Sequence, residues 1–148
     1  MDRITETAKI ILGGIIAALT GFLGGMDGIM YALLVFISID YVTGIMAAAK
    51  KKELSSEIGF WGIVKKVCII ALVGVAHFID MYVMQSGDIF RAAVALYYIG
   101  NEGLSLLENI ENLGVKLPGK LVDALKRIRD ENDKNEGGSE SSGRQQQQ

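Results

Sequence analysis

The chain has 148 residues, half of them hydrophobic, with a mean hydropathy of +0.32 and a formal net charge of −2. This length supports a single domain. General nucleic-acid binding is excluded, because the net charge is negative and no basic patch is interleaved with aromatic residues. The excess of apolar residues instead indicates helices that lie in a membrane.

Four apolar stretches predict an all-α integral membrane protein built of helical hairpins. The spans fall at about residues 10–25, 29–49, 64–84 and 89–107. In this arrangement every Lys and Arg except Arg91 lies on the same side as the two termini. Because positively charged loops are retained on the cytoplasmic side, we expect a multi-pass protein with both termini in the cytoplasm.

The first predicted helix is short for a span and carries small residues at four-residue spacing. They are Gly13, Ala17, Gly21 and Gly25. Small residues at this spacing let two helix backbones approach closely in lipid. The partner is either a second copy of the chain or another helix of the same chain, and the spacing does not choose between them. The sequence GGMDG at residues 24–28 then predicts a tight turn that closes the first hairpin.

The second predicted helix carries Asp40 near its centre. An aspartate at this depth costs roughly 2.5–3.5 kcal/mol on insertion scales, and nine Leu, Ile, Val or Phe residues return about 3–5 kcal/mol. Insertion is therefore nearly balanced, and Asp40 needs a partner or water. Thr43 and Gly44 follow on the same face, which we expect to point into a bundle or a pore, with Gly44 at a helix contact.

The third predicted helix follows the basic loop KKKELSSE at residues 50–57 and begins with two lysines. We expect Lys65 and Lys66 to extend back to the membrane surface. Deeper in the helix, His77 and Asp80 are one turn apart and can pair. A proton relay or metal site is conceivable there, but polar packing in the interior is the favoured interpretation.

The fourth predicted helix has an apolar first half and a polar second half. Asn101, Ser105 and Glu108 share one face, and Glu102 lies beside them. The pattern fits a pore-lining helix or an interfacial helix that does not fully cross. Four spans are favoured, because three would place the basic C-terminal region outside.

These patterns divide the chain into a transmembrane helical domain at residues 1–112, a cytoplasmic amphipathic segment at 113–131 and a disordered tail at 132–148. The sequence contains no phosphate-binding glycine loop, metal-ligand cluster or nucleophile paired with a histidine. We therefore expect no catalytic residues, no metal, no cofactor and no enzymatic activity.

The order of motifs resembles the phage holin family that also includes clostridial toxin-secretion holins. The resemblance starts with DYVTG at residues 40–44 and continues through the lysines at 50–52, Ser55, Ser56, Gly59, Gly62 and Lys65. Asp80 resembles the acidic residue that ends the family's next helix. The closing stretch is Asn101, Glu102, Ser105, Glu108, Asn109, Gly114 and Pro118. The resemblance covers about residues 35–125, and it depends on joint order and spacing rather than on any single element.

The resemblance implies a small protein that accumulates in the bacterial inner membrane and oligomerises into lesions. Such lesions release a cytoplasmic endolysin, or a toxin without a signal peptide, and collapse the membrane potential. The implied partners are further copies of the chain, the lipid bilayer, the released protein and an antiholin. The residues expected in the polar interior or lesion lining are Asp40, Thr43, His77, Asp80, Asn101 and Glu102.

Three other functions are compatible with the same pattern. A narrow ion channel or small transporter subunit would conduct selectively without passing a folded protein. A membrane scaffold would leave the membrane potential intact. An antiholin can share nearly the whole sequence of a holin, so the residues do not separate the two.

Overall fold

The computed structural model describes residues 2–85, 87–124 and 126–127. Its long elements are four helices: α1 (Asp2–Phe22), α2 (Gly28–Lys50), α3 (Ser56–Ile79) and α4 (Ile89–Asn112). A π-helical turn, Asp80–Met84, continues α3. No strand occurs within the described residues. The all-α prediction is confirmed, and the positions of several helix ends need correction.

Three of the helical segments are long and apolar enough to cross a membrane. They are Arg3–Phe22, Gly28–Lys50 and the continuous segment Ser56–Met84. In the described part of the chain, α4 is not apolar enough to be counted with them. The protein is therefore a membrane protein with three clear candidate spans, and the fourth span stays a prediction.

Helix α1 begins earlier and ends earlier than the predicted range of 10–25. Its first turns are polar but still helical, with an ion pair of 3.0 Å between Lys9 and Glu6. The helix ends at Phe22, because Gly24 and Gly25 adopt φ angles of 77° and 102°. Glycine tolerates this left-handed conformation, which other residues rarely adopt.

Helices α3 and α4 are longer than the ranges 64–84 and 89–107. The Ser55 hydroxyl accepts a hydrogen bond of 3.2 Å from the amide of Ile58 and so fixes the start of α3 at Ser56. Helix α4 runs on to Asn112, where Gly114 with a φ of 94° ends it. The hydropathy pattern missed the last turn of α4 because that turn is polar. It missed the first turns of α3 because Ser56, Glu57 and two glycines interrupt the apolar residues there.

The core lies between α2 and α4, with α3 packed along one side. Its buried side chains are Leu23, Met30, Leu33, Ile37, Ile69, Val73, Ala95 and Ile99. Many other large apolar residues of α2 and α3 face outward, among them Val42, Val67 and Val75. In a membrane protein such a surface faces lipid, since lipid tails are as apolar as these side chains.

Helix α1 lies apart from this three-helix core. It contacts α3 near its C-terminal end, where a Cβ added to Gly74 would meet the Phe22 ring. Apart from adjoining residues of the chain, no atom lies within 4 Å of a Cβ placed on Gly13, Gly21 or Gly25. The predicted helix-packing face of α1 therefore has no partner among the described residues of its own chain.

The C-terminal region is described only in part. Residues 119–124 are helical, within the predicted amphipathic segment 113–131. The predicted disordered tail at 132–148 lies outside the described residues.

Candidate functional site

The central feature of the bundle is a buried ion cluster built around Lys66. The Nζ atom of Lys66 on α3 contacts Asp40 Oδ2 on α2 and Glu102 Oε2 on α4. Asp40 is 5% exposed and Glu102 is 7% exposed. One ammonium group therefore joins three helices through two carboxylates.

Asn109 completes the arrangement on the Asp40 side. Its Nδ2 donates to Asp40 Oδ1 at 3.0 Å and lies 3.3 Å from the Asp40 carbonyl oxygen. The same nitrogen is 3.4 Å from Thr43 Oγ1, and the Thr43 hydroxyl lies 3.0 Å from the Asp40 carbonyl oxygen. We call Asp40, Lys66, Glu102 and Asn109 the central cluster.

The helix geometry explains why these side chains meet. Thr43 and Asp40 are three residues apart on one face of α2, and Gly44 leaves room on that face for Asn109 Nδ2, 3.4 Å from a Cβ placed there. Glu102 and Asn109 are seven residues apart, or two turns of α4. The face of α4 that packs on α2 therefore carries both of them.

An open groove of about 910 Å³ gives access to the central cluster. Asp40, Lys66 and Glu102 lie along its wall, and Glu57 and Trp61 line it near the start of α3. Most of the remaining lining is apolar. The cluster thus combines buried charges with a path to the surface.

The depth of the central cluster sets its energetic importance. Asp40 lies near the middle of α2, the span Gly28–Lys50. An isolated carboxylate at the centre of a span costs roughly 2.5–3.5 kcal/mol on insertion scales. Breaking a buried ion pair by removing one partner typically costs about 3–5 kcal/mol. The contacts to Lys66 therefore offset part of the cost of burying Asp40 and Glu102 among the helices.

A second ion cluster lies at the α1–α2 and α3–α4 turns. Arg91 is 2% exposed, and its guanidinium contacts Asp27 Oδ2 and lies 3.3 Å from Asp88 Oδ1. His77 Nδ1 lies 3.4 Å from the same Asp88 oxygen. Asp80 accepts hydrogen bonds of 3.0 Å and 2.7 Å from the amides of Phe90 and Arg91. We call Asp27, His77, Asp80, Asp88 and Arg91 the turn cluster.

The carboxylates of the turn cluster fix the starts of helices. Asp27 accepts a hydrogen bond of 2.9 Å from the amide of Met30, in the first turn of α2. This bond, together with Arg91, holds the pKa of Asp27 below its ordinary value of 3.8. Asp80 plays the equivalent part for the first turn of α4.

The structure divides the predicted interior residues between two places. Asp40, Thr43 and Glu102 lie together at the central cluster, whereas His77 and Asp80 lie in the turn cluster. His77 approaches Asp88 and Asp80 accepts two backbone amides, whereas the pairing of His77 with Asp80 stays a prediction. Asn101 is half-buried on α4.

Sequence reasoning missed the roles of Lys66, Asn109 and Arg91. Lys66 was expected to reach the membrane surface, but its ammonium is held by Asp40 and Glu102, and its side chain is only 16% exposed. The unmatched charge of Asp40 was the available signal that a cation had to lie nearby. In the described residues, no group of three or more His, Cys, Asp or Glu side chains is placed to hold a metal ion.

Comparison with known proteins identifies relatives of the chain. Residues 17–130 match the model of the bacteriophage holin family. The chain is 40% identical over 128 residues to an uncharacterized 14.9 kDa protein in the nagH 3' region of Clostridium perfringens, covering 86% of this chain and 97% of that one. It is 41% identical over 101 residues to a probable holin of Bacillus phage phi105, covering 68% and 74% of the two chains. The uncharacterized protein YqxH of Bacillus subtilis is 38% identical over 99 residues, covering 67% and 70%. No solved structure matches the chain.

Proposed function

The chain belongs to the bacteriophage holin family, and on that premise we propose that it acts as a holin in the bacterial inner membrane. In this role many copies assemble into lesions, the membrane potential collapses, and a cytoplasmic endolysin or a toxin without a signal peptide escapes. The protein itself carries out no catalysis. Its partners are further copies of itself, the lipid bilayer and the released protein, with an antiholin as a regulator.

The observation that carries this proposal is the central cluster, in which Asp40 and Lys66 lie within two apolar candidate spans. Charged side chains inside membrane spans are rare, and they mark water-filled paths or internal pairs. In the single chain Asp40 and Glu102 both contact Lys66. In an assembled lesion the same groups would face water. One set of side chains thus suits both a closed bundle and an open, wet arrangement.

We propose a topology of four crossings with both termini in the cytoplasm. Glu102 on α4 reaches the ammonium that Asp40 on α2 also binds, so the two helices lie at the same depth. Helix α4 also packs along α2 more extensively than any other pair of helices does. Its low hydropathy is compatible with a crossing if its polar face stays against the bundle.

Helix α1 supplies a face for self-association. Gly13 and Gly21 lie on it, and apart from adjoining residues of α1 no atom of the described chain is near their Cβ positions. Ala17 lies between them and is exposed. Small residues spaced in this way bring two helices into close contact in lipid. The availability of this face supports packing between copies over packing within the chain.

The test is co-expression of the chain with a cytoplasmic muralytic enzyme that lacks a signal sequence. Culture turbidity and membrane potential are followed together. We expect abrupt lysis after a reproducible delay, and earlier lysis when an energy poison is added. Loss of potential without release of the enzyme would instead indicate a narrow channel. If neither turbidity nor membrane potential changes, and the protein is confirmed in the membrane, the result would indicate a scaffold or an antiholin.

A matched pair of variants ties the result to the central cluster. Asp40→Leu removes the carboxylate that faces Lys66, and we expect a changed lysis time or no lysis. Ser38→Leu makes the same kind of change at an exposed position of α2 and should leave the timing near that of the wild type. An Asp40→Leu protein that inserts normally and lyses on the wild-type schedule would contradict a role for the central cluster.

A further inference from the structure

The charges of the central cluster do not balance when every group is ionised. Two carboxylates, Asp40 and Glu102, contact the single ammonium of Lys66. Asn109 adds a neutral amide on the Asp40 side. The fully ionised cluster therefore carries one net negative charge in the middle of the helices.

The two acids lie side by side. Asp40 Oδ2 and Glu102 Oε2 both contact the Nζ atom of Lys66, so the two carboxyl groups bind the same ammonium. An ionised carboxylate can only accept hydrogen bonds, so two neighbouring carboxyl groups can bind each other only when one of them carries a proton. The position of the two acids therefore favours a single shared proton.

The surroundings make the uncompensated charge expensive. Asp40 and Glu102 are both more than nine-tenths buried, and Asp40 lies near the centre of a candidate span. Two carboxylates that share a site do not ionise together readily, because the second negative charge is repelled by the first. A buried charge without a partner is usually removed by a change of protonation.

We propose that the central cluster is a proton-binding site, in which the carboxyl groups of Asp40 and Glu102 share one proton beside the Lys66 ammonium at neutral pH. With this proton the cluster is electrically neutral. Without it, the cluster has a net charge of −1 and favours an arrangement that lets water in. The proton thereby regulates the same groups that the proposed holin function would expose in a lesion.

The groove provides the route by which this proton exchanges. It opens along the central cluster and extends to the first turns of α3. The other titratable or charged groups that line it are Tyr41 from α2, Glu57, Lys65 and Cys68 from α3, and Tyr98 from α4. Glu57 and Lys65 are exposed and opposite in charge, so they leave the charge imbalance of the buried cluster unchanged.

The experiment counts protonated carboxyl groups in the full chain. The protein is labelled with ¹³C at its Asp and Glu carboxyl groups, and it is placed in nanodiscs of phosphatidylethanolamine and phosphatidylglycerol. Infrared spectra are recorded across neutral pH. We expect a C=O stretching band of one protonated carboxyl group in the wild type at pH 7. It should disappear in Asp40→Asn and in Glu102→Gln, because the remaining carboxylate then pairs with Lys66.

Two further variants keep the test decisive. Glu108→Gln removes an exposed acid on the same helix and should retain the band. Lys66→Met keeps both acids and removes the cation, so the band should grow about twofold as both carboxyl groups take up protons. A wild type without the band at pH 7, or a band that survives both Asp40→Asn and Glu102→Gln, would overturn the proposal.

The spectra and the lysis assay fail independently. A wild type that shows the band but never lyses cells would overturn the holin function and leave the proton site in place. Lysis on schedule by a protein that lacks the band would overturn the proton site and leave the holin function in place.

Discussion

The central cluster and the turn cluster share their chemistry, since each holds a buried cation against more than one carboxylate. They differ in what the carboxylates do for the backbone. Asp27 and Asp80 accept backbone amides at the starts of α2 and α4. Asp40 and Glu102 bind side chains in the middle of continuous helices that do not need them. Folding accounts for the turn cluster, and the central cluster calls for a functional explanation.

The largest expected effect comes from removing the cation of the central cluster. We expect Lys66→Ala to lower the free energy of unfolding by about 3 kcal/mol, the lower end for breaking a buried pair, because the two acids can take up protons. Reversible unfolding in lipid–detergent mixtures, followed by circular dichroism, measures the change. Lys65→Ala at the exposed neighbour should shift it by less than about 0.5 kcal/mol. Equal effects of the two variants would show that Lys66 does not hold the helices together.

A smaller effect is expected at the turn cluster. Asp80→Ala leaves the amides of Phe90 and Arg91 without their acceptor, and loss of such a cap costs about 1 kcal/mol. Asp80→Asn keeps an acceptor oxygen and should recover part of the loss. The same unfolding measurement applies. Lysis by Asp80→Ala should keep its schedule once equal amounts of protein are in the membrane. If Asp80→Ala abolished lysis without lowering stability, the turn cluster would have a functional role like that proposed for the central cluster.

The smallest effect is a pH dependence at Asp27. Its pKa is lowered in the folded protein, so its contribution to stability is present above the ordinary value of 3.8 and is lost as the pH falls below it. The side chain is 44% exposed, which limits the contribution to less than about 1 kcal/mol. Stability is measured for the wild type and Asp27→Asn between neutral pH and pH 3. The wild type should lose more stability than the variant in acid, and parallel curves would contradict this role for Asp27.

The apolar pattern predicted the helices well but not their polar ends. The hydropathy of residues 29–49 gave α2 almost to the residue, since apolar residues run from its first turn to its last. The first turns of α1 were missed because most of their residues are polar, and those of α3 because polar residues and glycines alternate there with apolar ones. Their helical state depends on the cap at Ser55 and on local pairs such as Lys9 with Glu6. Hydropathy carries no information about such contacts.

The sequence predicted that Asp40 needs a partner, but it did not predict which residues are the partners. The position of Asp40 required a partner or water, and Lys66 supplies one from 26 residues along the chain. That contact depends on how α3 rotates against α2, which no spacing along the sequence determines. The partner of Arg91 was equally hard to predict, because Asp27 is 64 residues away, in the turn between α1 and α2.

The unequal lengths of the helices link the protein to the thickness of its bilayer. Arg3–Phe22 has 20 residues and Ser56–Met84 has 29. At 1.5 Å per residue these segments extend about 30 Å and about 43 Å, against a hydrocarbon layer of about 30 Å. The longer segment must tilt or emerge at one surface, whereas the shorter one has about the length of the layer. A change in membrane thickness alone, without any substitution, is therefore expected to change the tilt of α3 against its neighbours.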